Sequence, residues 1–348
     1  MEKHFLQSKA WARFQKSLGK QVFEDSGPGW SYLAILETTP LGKYLYLPYG
    51  PTIRDKNAFV SACKALRSLA EAQSALLIRI EPTDVIDTIM LSHEGFVKIK
   101  EVNPEHTWVL DLTQSEKQIL AGMKQNNRNL LNNYAKKGFH IHHTTDPNKV
   151  TYLTSLLSNV ATHNKIHTHP ASYFKKQVSE AGATLYYVTL GSANQSISSQ
   201  ISKNGKSFSD ESRNDGHEER RRDGADGEAV IAAALIYDSP TTRYYAHAAA
   251  DYAHRKLSAG TVLVAQMILD AKAKGLKTFD FYGITTSENP NHPWYGFTKF
   301  KRSFGGAPLT YLGDWDLPTK KSRLKYRLFN MLRWLNRLAR KTKRSLRK

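Results

Sequence analysis

The chain has 348 residues, a hydrophobic fraction of 40% and an aromatic fraction of 11%, the composition of a packed globular protein and not of a disordered one. A formal net charge of +19 favours anionic partners such as nucleic acid, an anionic membrane or phosphorylated substrates. The single cysteine, Cys63, excludes an internal disulfide and any cysteine-rich metal site, and no run of about 18 apolar residues offers a membrane-spanning helix.

The basic residues at the N-terminus are not followed by an apolar run, so a cytoplasmic protein is expected, with a peripheral place at the inner membrane face open to it. Residues 5–15 read as a helix capped near Ser8, with Trp11 and Phe14 on one face and Arg13 turned away from it. Strands are expected at 20–23, 30–37 and 44–48, a helix at 57–71, a buried strand at 75–80 and a helix at 84–93. A strand at 107–112 precedes one long helix, 115–137, stopped by Gly138.

The second half repeats the theme. Helices are expected at 150–164 and 170–180, strands at 185–190, 228–237 and 242–249, a helix at 258–274 closed by Gly275, and a strand at 277–282. Residues 192–227 are poor in apolar side chains and rich in Ser, Gly, Asn and charge, so a disordered insertion is expected there. A last helix carries Tyr295, Phe297, Phe300, Lys301 and Phe304 and stops at Gly305-Gly306, before a strand at 309–312. Phe297, Phe300 and Phe304 fall at i, i+3 and i+7, and a stripe of this kind is more often core than site. From Lys320 to Lys348 there are thirteen Lys or Arg and no acid, and Leu324, Leu328, Met331, Leu332, Leu335 and Leu338 recur at helical spacing. Such a basic amphipathic helix suits an anionic membrane surface, and its charge also suits RNA phosphates.

The stretch GFTKFKRSFGG, followed by Tyr311-Leu312-Gly313-Asp314-Trp315-Asp316, resembles the C-terminal signature of the FemABX aminoacyltransferases. These proteins carry amino acids from aminoacyl-tRNA to the stem peptide of peptidoglycan precursors, in cell-wall biogenesis. The resemblance implies an α+β fold of two GNAT-like domains in tandem with a basic C-terminal helix. On this basis the first domain is expected to take 1–145 plus 317–340 and to bind the precursor. The second takes 146–316, including the insertion, and 341–348 form a basic tail.

The same resemblance implies roles for particular residues. Phe300-Lys301-Arg302-Ser303-Phe304 has the order of the family's essential F-K-x-x-F pattern, so Lys301, with Phe300 beside it, is the expected catalytic residue. A fixed cation there would stabilise the oxyanion formed when an amine attacks an ester. Arg13, in Trp11-Ala12-Arg13, stands where the family grips precursor phosphates. His169 and Tyr173 flank Pro170 where the family has a cationic residue and a tyrosine that touch the precursor. Tyr245 and His247 lie on a strand expected to line the acceptor channel, while Asn126, Asn127 and Arg128 are expected to form a structural and electrostatic wall.

His163, His167 and His169 lack converging carboxylates, so no metal is expected. Arg255-Lys256-Leu257-Ser258-Ala259-Gly260 only partly matches an acetyl-CoA loop, which favours aminoacyl-tRNA as donor and no separate cofactor. The acceptor is then a lipid-linked or UDP-linked muropeptide. Two rival readings stand beside this one: a transferase acting on protein N-termini, and a non-catalytic protein binding RNA or a membrane surface.

Overall fold

The structure is a computed structural model, and it describes residues 3–83, 86–164, 168–191, 228–319, 324–332 and 335. The insertion expected at 192–227 and the free tail lie outside the described residues. The chain divides into two compact units, one formed by 1–105 with 310–348 and the other by 106–309.

The first unit opens with α1 (Lys9–Ser17), capped by Ser8, whose hydroxyl accepts from the Trp11 amide at 3.1 Å. Strands β1 (Gln21–Gly27), β2 (Trp30–Thr39), β3 (Gly42–Leu47) and the short β4 (Thr52–Ile53) lead to α2 (Lys56–Ala72), whose first turn is capped by Asp55. Then come β5 (Leu77–Ile80), α3 (Thr88–His93) and β6 (Val97–Lys98). The helix expected from residue 84 begins only at Thr88, where the Asp87 carboxylate accepts the Met90 amide at 2.8 Å.

The sheet closes with a strand from the far end of the chain. β14 (Trp315–Pro318) lies between β5 and β6, antiparallel to both, in the order β1-β2-β3-β5-β14-β6. Asp316 is the cross-strand partner of Arg79, and its carboxylate accepts two guanidinium hydrogen bonds at 2.7 and 2.8 Å, both side chains buried. Phe59, Leu66, Leu45, Leu47, Ile78, Ile80 and Trp315 fill the space between sheet and α2. A helix at 324–332, here α10, buries Tyr326 and Phe329 against Leu77 and Tyr44.

The second unit begins earlier than the expected boundary at 145/146. β7 (His106–Asp111) pairs with β12 (Thr278–Gly283), so residues 106–145 belong to the second sheet and not the first. The return to the first unit likewise comes at residue 310 and not 317. Pairing with a distant strand decides both boundaries, and the order of elements along the chain does not reveal it.

The helix expected over 115–137 is broken in two. α4 (Glu116–Gly122) starts with a Ser115/Gln118 capping box, and α5 (Gln125–Asn133) follows a kink at Met123-Lys124. Arg128 donates to the carbonyls of Leu120, Ala121 and Met123, closing the end of α4, and the Lys124 amide donates to the Ser303 carbonyl at 2.9 Å. A 3-10 turn, Ala135–Lys137, ends at Gly138 with φ of 73°.

β8 (Phe139–Thr144), α6 (Thr151–Asn164), α7 (Ala171–Ser179), β9 (Thr184–Leu190), β10 (Ala229–Asp238) and β11 (Thr242–Ala250) follow. The buried α8 (Ala259–Ala273) crosses over to β12, parallel to β11, and α9 (Tyr295–Arg302) leads to β13 (Ala307–Thr310). The sheet order is β13-β7-β12-β11-β10-β9-β8. β8 has no counterpart among the expected strands, because its His-Ile-His-His run lacks clear alternation. The two mixed sheets with their covering helices make an α+β protein of two units, with the basic helix at 324–332 packed on the first.

Candidate functional site

The site is built where β12 departs from regular pairing. Asp280 opposes Val109 and Gly283 opposes Thr107, so Phe281 and Tyr282 share the space of one residue on β7. Tyr282 takes a φ of 63°, left-handed and strained for a bulky side chain. Asp280 secures this bulge: its carboxylate accepts from the Thr107 hydroxyl and, at 2.7 Å, from the Tyr282 amide. Bulges of this kind re-aim backbone groups beside functional sites.

Here the backbone groups re-aimed are carbonyls. Lys301, on α9, donates to the Gly283 carbonyl at 2.5 Å and the Tyr282 carbonyl at 3.3 Å. An ammonium has three N–H donors, so one remains for another acceptor. Burial lowers the Lys301 pKa to about 8, against an upward pull from the Asp280 charge. Burial raises Asp280 to about 6, against the opposing effects of Thr107, Tyr282 and Lys301. A partly desolvated cation, poised on two carbonyls and supported by a buried carboxylate, can receive a developing negative charge.

α9 is fixed around that lysine. Thr298 is buried and its hydroxyl accepts the Thr285 amide at 3.0 Å. Phe304 is fully buried, stacked on Phe281 with centroids 5.7 Å apart, and Phe300 meets it edge-on at 5.2 Å. Phe300 is thus a packing neighbour of the site, half-buried against the core. The expected aromatic stripe divides: Phe300 and Phe304 pack inward, whereas Phe297 is 62% exposed.

The other expected residues of this unit gather in a second cluster. His169 stacks on Tyr173 at 3.9 Å, and Phe174 meets both Tyr173 and His247 edge-on, at 5.7 and 5.3 Å. Burial, then the His169 charge, lowers His247 to about 4, so it is neutral at pH 7. Tyr245 packs against the core instead. A bulge opposite Leu235 and Ile236 inserts Ala246 between them, which puts Tyr245 and His247 in different surroundings. Tyr237 links the clusters: its hydroxyl, held protonated chiefly by burial, also feels Tyr173 and Tyr282.

Arg13 and Trp11 belong to the first unit. Arg13 is exposed on α1, while Trp11 is half-buried, meeting Phe5 edge-on at 5.6 Å and Phe14 at a tilt at 4.8 Å. His167 and the side chain of His163 lie outside the described residues. Among the described residues no group of three or more His, Cys, Asp or Glu is placed to hold a metal ion.

Sequence reasoning missed Asp280, Thr107 and Tyr282. The available signal was a carboxylate inside the apolar strand Phe279-Asp280-Phe281, since acids are seldom fully buried without a task or a partner.

Residues 188–333 match the model of the FemAB family. Over this segment the chain is similar to the FemAB family. The matched segment contains Asp280, Lys301, Tyr245 and His247, while Thr107, His169 and Tyr173 precede it. A comparison with curated proteins finds no match. Among solved structures, FemX superposes with a TM-score of 0.76 at 18% identity, covering 94% of each chain. L-PGS from Bacillus licheniformis gives 0.56 at 12% identity, over 91% of this chain and 90% of that one. A domain of a putative lysylphosphatidylglycerol synthetase from Agrobacterium fabrum gives 0.54 at 13%, over 93% and 92%. These likenesses are of fold.

Proposed function

We propose that this protein transfers an aminoacyl group from aminoacyl-tRNA to the side-chain amine of a peptidoglycan stem peptide. The observation that carries the reading is Lys301, held on two carbonyls with one N–H left over. The acceptor amine attacks the ester carbonyl, and a C–N bond forms as the carbonyl oxygen takes up negative charge. Lys301 donates its remaining hydrogen bond to that oxygen, an interaction strongest in the transition state. The ester C–O bond then breaks, and a proton lost by the amine ends on the departing ribose hydroxyl. His169, Tyr173 and His247 suit the walls of an acceptor channel, and exposed Arg13 suits the precursor's phosphates.

The acceptor we favour is the lipid-linked one. α10 leaves Leu324, Leu328, Met331 and Leu332 exposed along one side, together with Lys325 and Arg327. An apolar stripe flanked by cations is the pattern of a helix lying at an anionic lipid interface. Among the described residues no helix is long and apolar enough to cross a membrane.

The test is transfer of radiolabelled amino acids from a total aminoacyl-tRNA pool to lipid-linked and nucleotide-linked precursors, with wild type and Lys301→Ala. Transfer that collapses in the variant supports the reading and names the amino acid. No transfer to either acceptor, from protein that still binds RNA or anionic vesicles, removes it.

A further inference from the structure

At the end of the β5/β14 ladder two acids face each other. Ile80 pairs with Trp315 and Arg79 with Asp316, so the next residues along, Glu81 and Asp314, stand opposite one another. Glu81 is 4% exposed and Asp314 1%. Like charges directly opposite across a ladder repel, and burial removes the water that would screen them.

The hydrogen bonds around this pair are uneven. Glu81 accepts from the Tyr46 hydroxyl at 2.5 Å, the Tyr49 amide at 3.1 Å and the Asn103 side chain at 2.8 Å. Asp314 accepts from the Val102 amide at 3.0 Å through Oδ2, while its Oδ1 is buried with no donor. Among the described residues no cation is left for it: Arg79 is engaged by Asp316, and Lys98 pairs with Glu105. The cavity beside the pair, bordered by Tyr311 and Gly313, measures about 10 Å³, room for at most one water. Both acids also hold the passages by which the chain leaves and re-enters the first unit. Residues 99–105 lead out to β7, and 311–314 lead back from β13. Besides the bonds to Val102 and Asn103, the Asp314 carbonyl accepts the Ile99 amide at 2.9 Å, and the Tyr311 amide donates to the Glu105 carbonyl at 2.9 Å.

We infer that Glu81 and Asp314 share one proton at neutral pH, and that this proton latches the outgoing passage, 99–105, to the returning one, 311–314. The proton sits on Asp314 Oδ1 and is donated to Glu81. Glu81 keeps the negative charge because three donors solvate it, against one for Asp314. Burial, then the charge of Glu81 and the bond to it, raises Asp314 far above the usual carboxylate range, against the Val102 amide and the Arg79 charge. Loss of the proton leaves two buried anions opposite each other, with the one nearby guanidinium already paired, and the passages part. In the unfolded chain Asp314 ionises as an ordinary carboxylate. Stability of the first unit is therefore lost as pH rises from the carboxylate range until the folded group itself ionises. The inference is independent of the reaction proposed above.

The experiment compares the full chain with Asp314→Asn, whose amide is neutral at every pH and can donate to Glu81 as the proton does. In urea unfolding from about pH 5.5 to about pH 8, the wild-type unfolding constant is expected to rise more steeply than the variant's, by about tenfold per pH unit. An infrared spectrum of the wild type at neutral pH is expected to show the carbonyl band of a buried protonated carboxyl, lost in Asp314→Asn. This reading of the wild type needs no stable variant. In hydrogen exchange followed by mass spectrometry and corrected for intrinsic rates, peptides covering 99–105 and 311–314 are expected to lose protection as pH rises in the wild type alone. Peptides from β2 are expected to keep theirs. Parallel pH slopes in the two proteins, or no protonated-carboxyl band at neutral pH, overturns the shared proton. Protection at 99–105 that follows β2 at every pH overturns the latch.

Discussion

Lys301 and Asp280 titrate on either side of neutrality, and this gives the site a pH signature. Lys301 must be protonated to donate to an oxyanion, so transfer is expected to fall as pH rises past about 8. Asp280 must be ionised to support that charge, so transfer also falls as pH drops below about 6. Asp280→Asn removes a charge that raises the Lys301 pKa, so the alkaline limb of kcat/KM should move to lower pH. A limb that stays in place would refute the electrostatic link. Lys301→Met is expected to cost about 10²–10³-fold in kcat, the usual loss for one oxyanion donor. His247, already lowered to about 4, contributes neither limb.

At the scale of the element, the end of α9 shows how a local signal acquires a tertiary cause. Gly305-Gly306 is readable in sequence as a helix stop, and both residues do have positive φ, 83° and 90°. A side chain at Gly306 would also run into the Val109 carbonyl on β7, a clash no helix-stop rule contains. Gly306→Ala is therefore expected to cost about 2 kcal/mol or more in urea unfolding, with the unfolding slope unchanged. The break between α4 and α5 is of the same kind. The helical pattern runs on through Met123 and Lys124, but the carbonyls of Leu120, Ala121 and Met123 are taken by Arg128. The bulge at Phe281-Tyr282 was invisible for the same reason, since its defining partner is Thr107 on another strand.

At the scale of the whole molecule, the first unit depends on a strand that arrives more than 230 residues after its neighbour. Arg79 and Asp316 meet across β5 and β14 with side chains 4% and 0% exposed. Removing one partner leaves a buried charge alone, so Asp316→Ala is expected to cost about 3–5 kcal/mol in chemical denaturation. The α10 stripe makes a prediction of its own. Leu328→Glu/Met331→Glu should weaken binding to vesicles containing anionic lipid while leaving neutral vesicles unaffected, as a co-sedimentation assay would read.

Most elements, the α+β class and Lys301 as the cation to examine are legible in the chain. Those features are written in local patterns: apolar periodicity, caps, glycine stops and a short motif around Phe300-Lys301. Long-range packing sets where the units divide, that Phe300 and Phe304 pack while Phe297 stays exposed, and that Asp280 and Thr107 hold the carbonyls on which Lys301 rests. Each of these depends on which distant strand or helix lies alongside. Pairing between β7 and β12 brings together residues about 170 positions apart, and no local pattern in either strand names its partner.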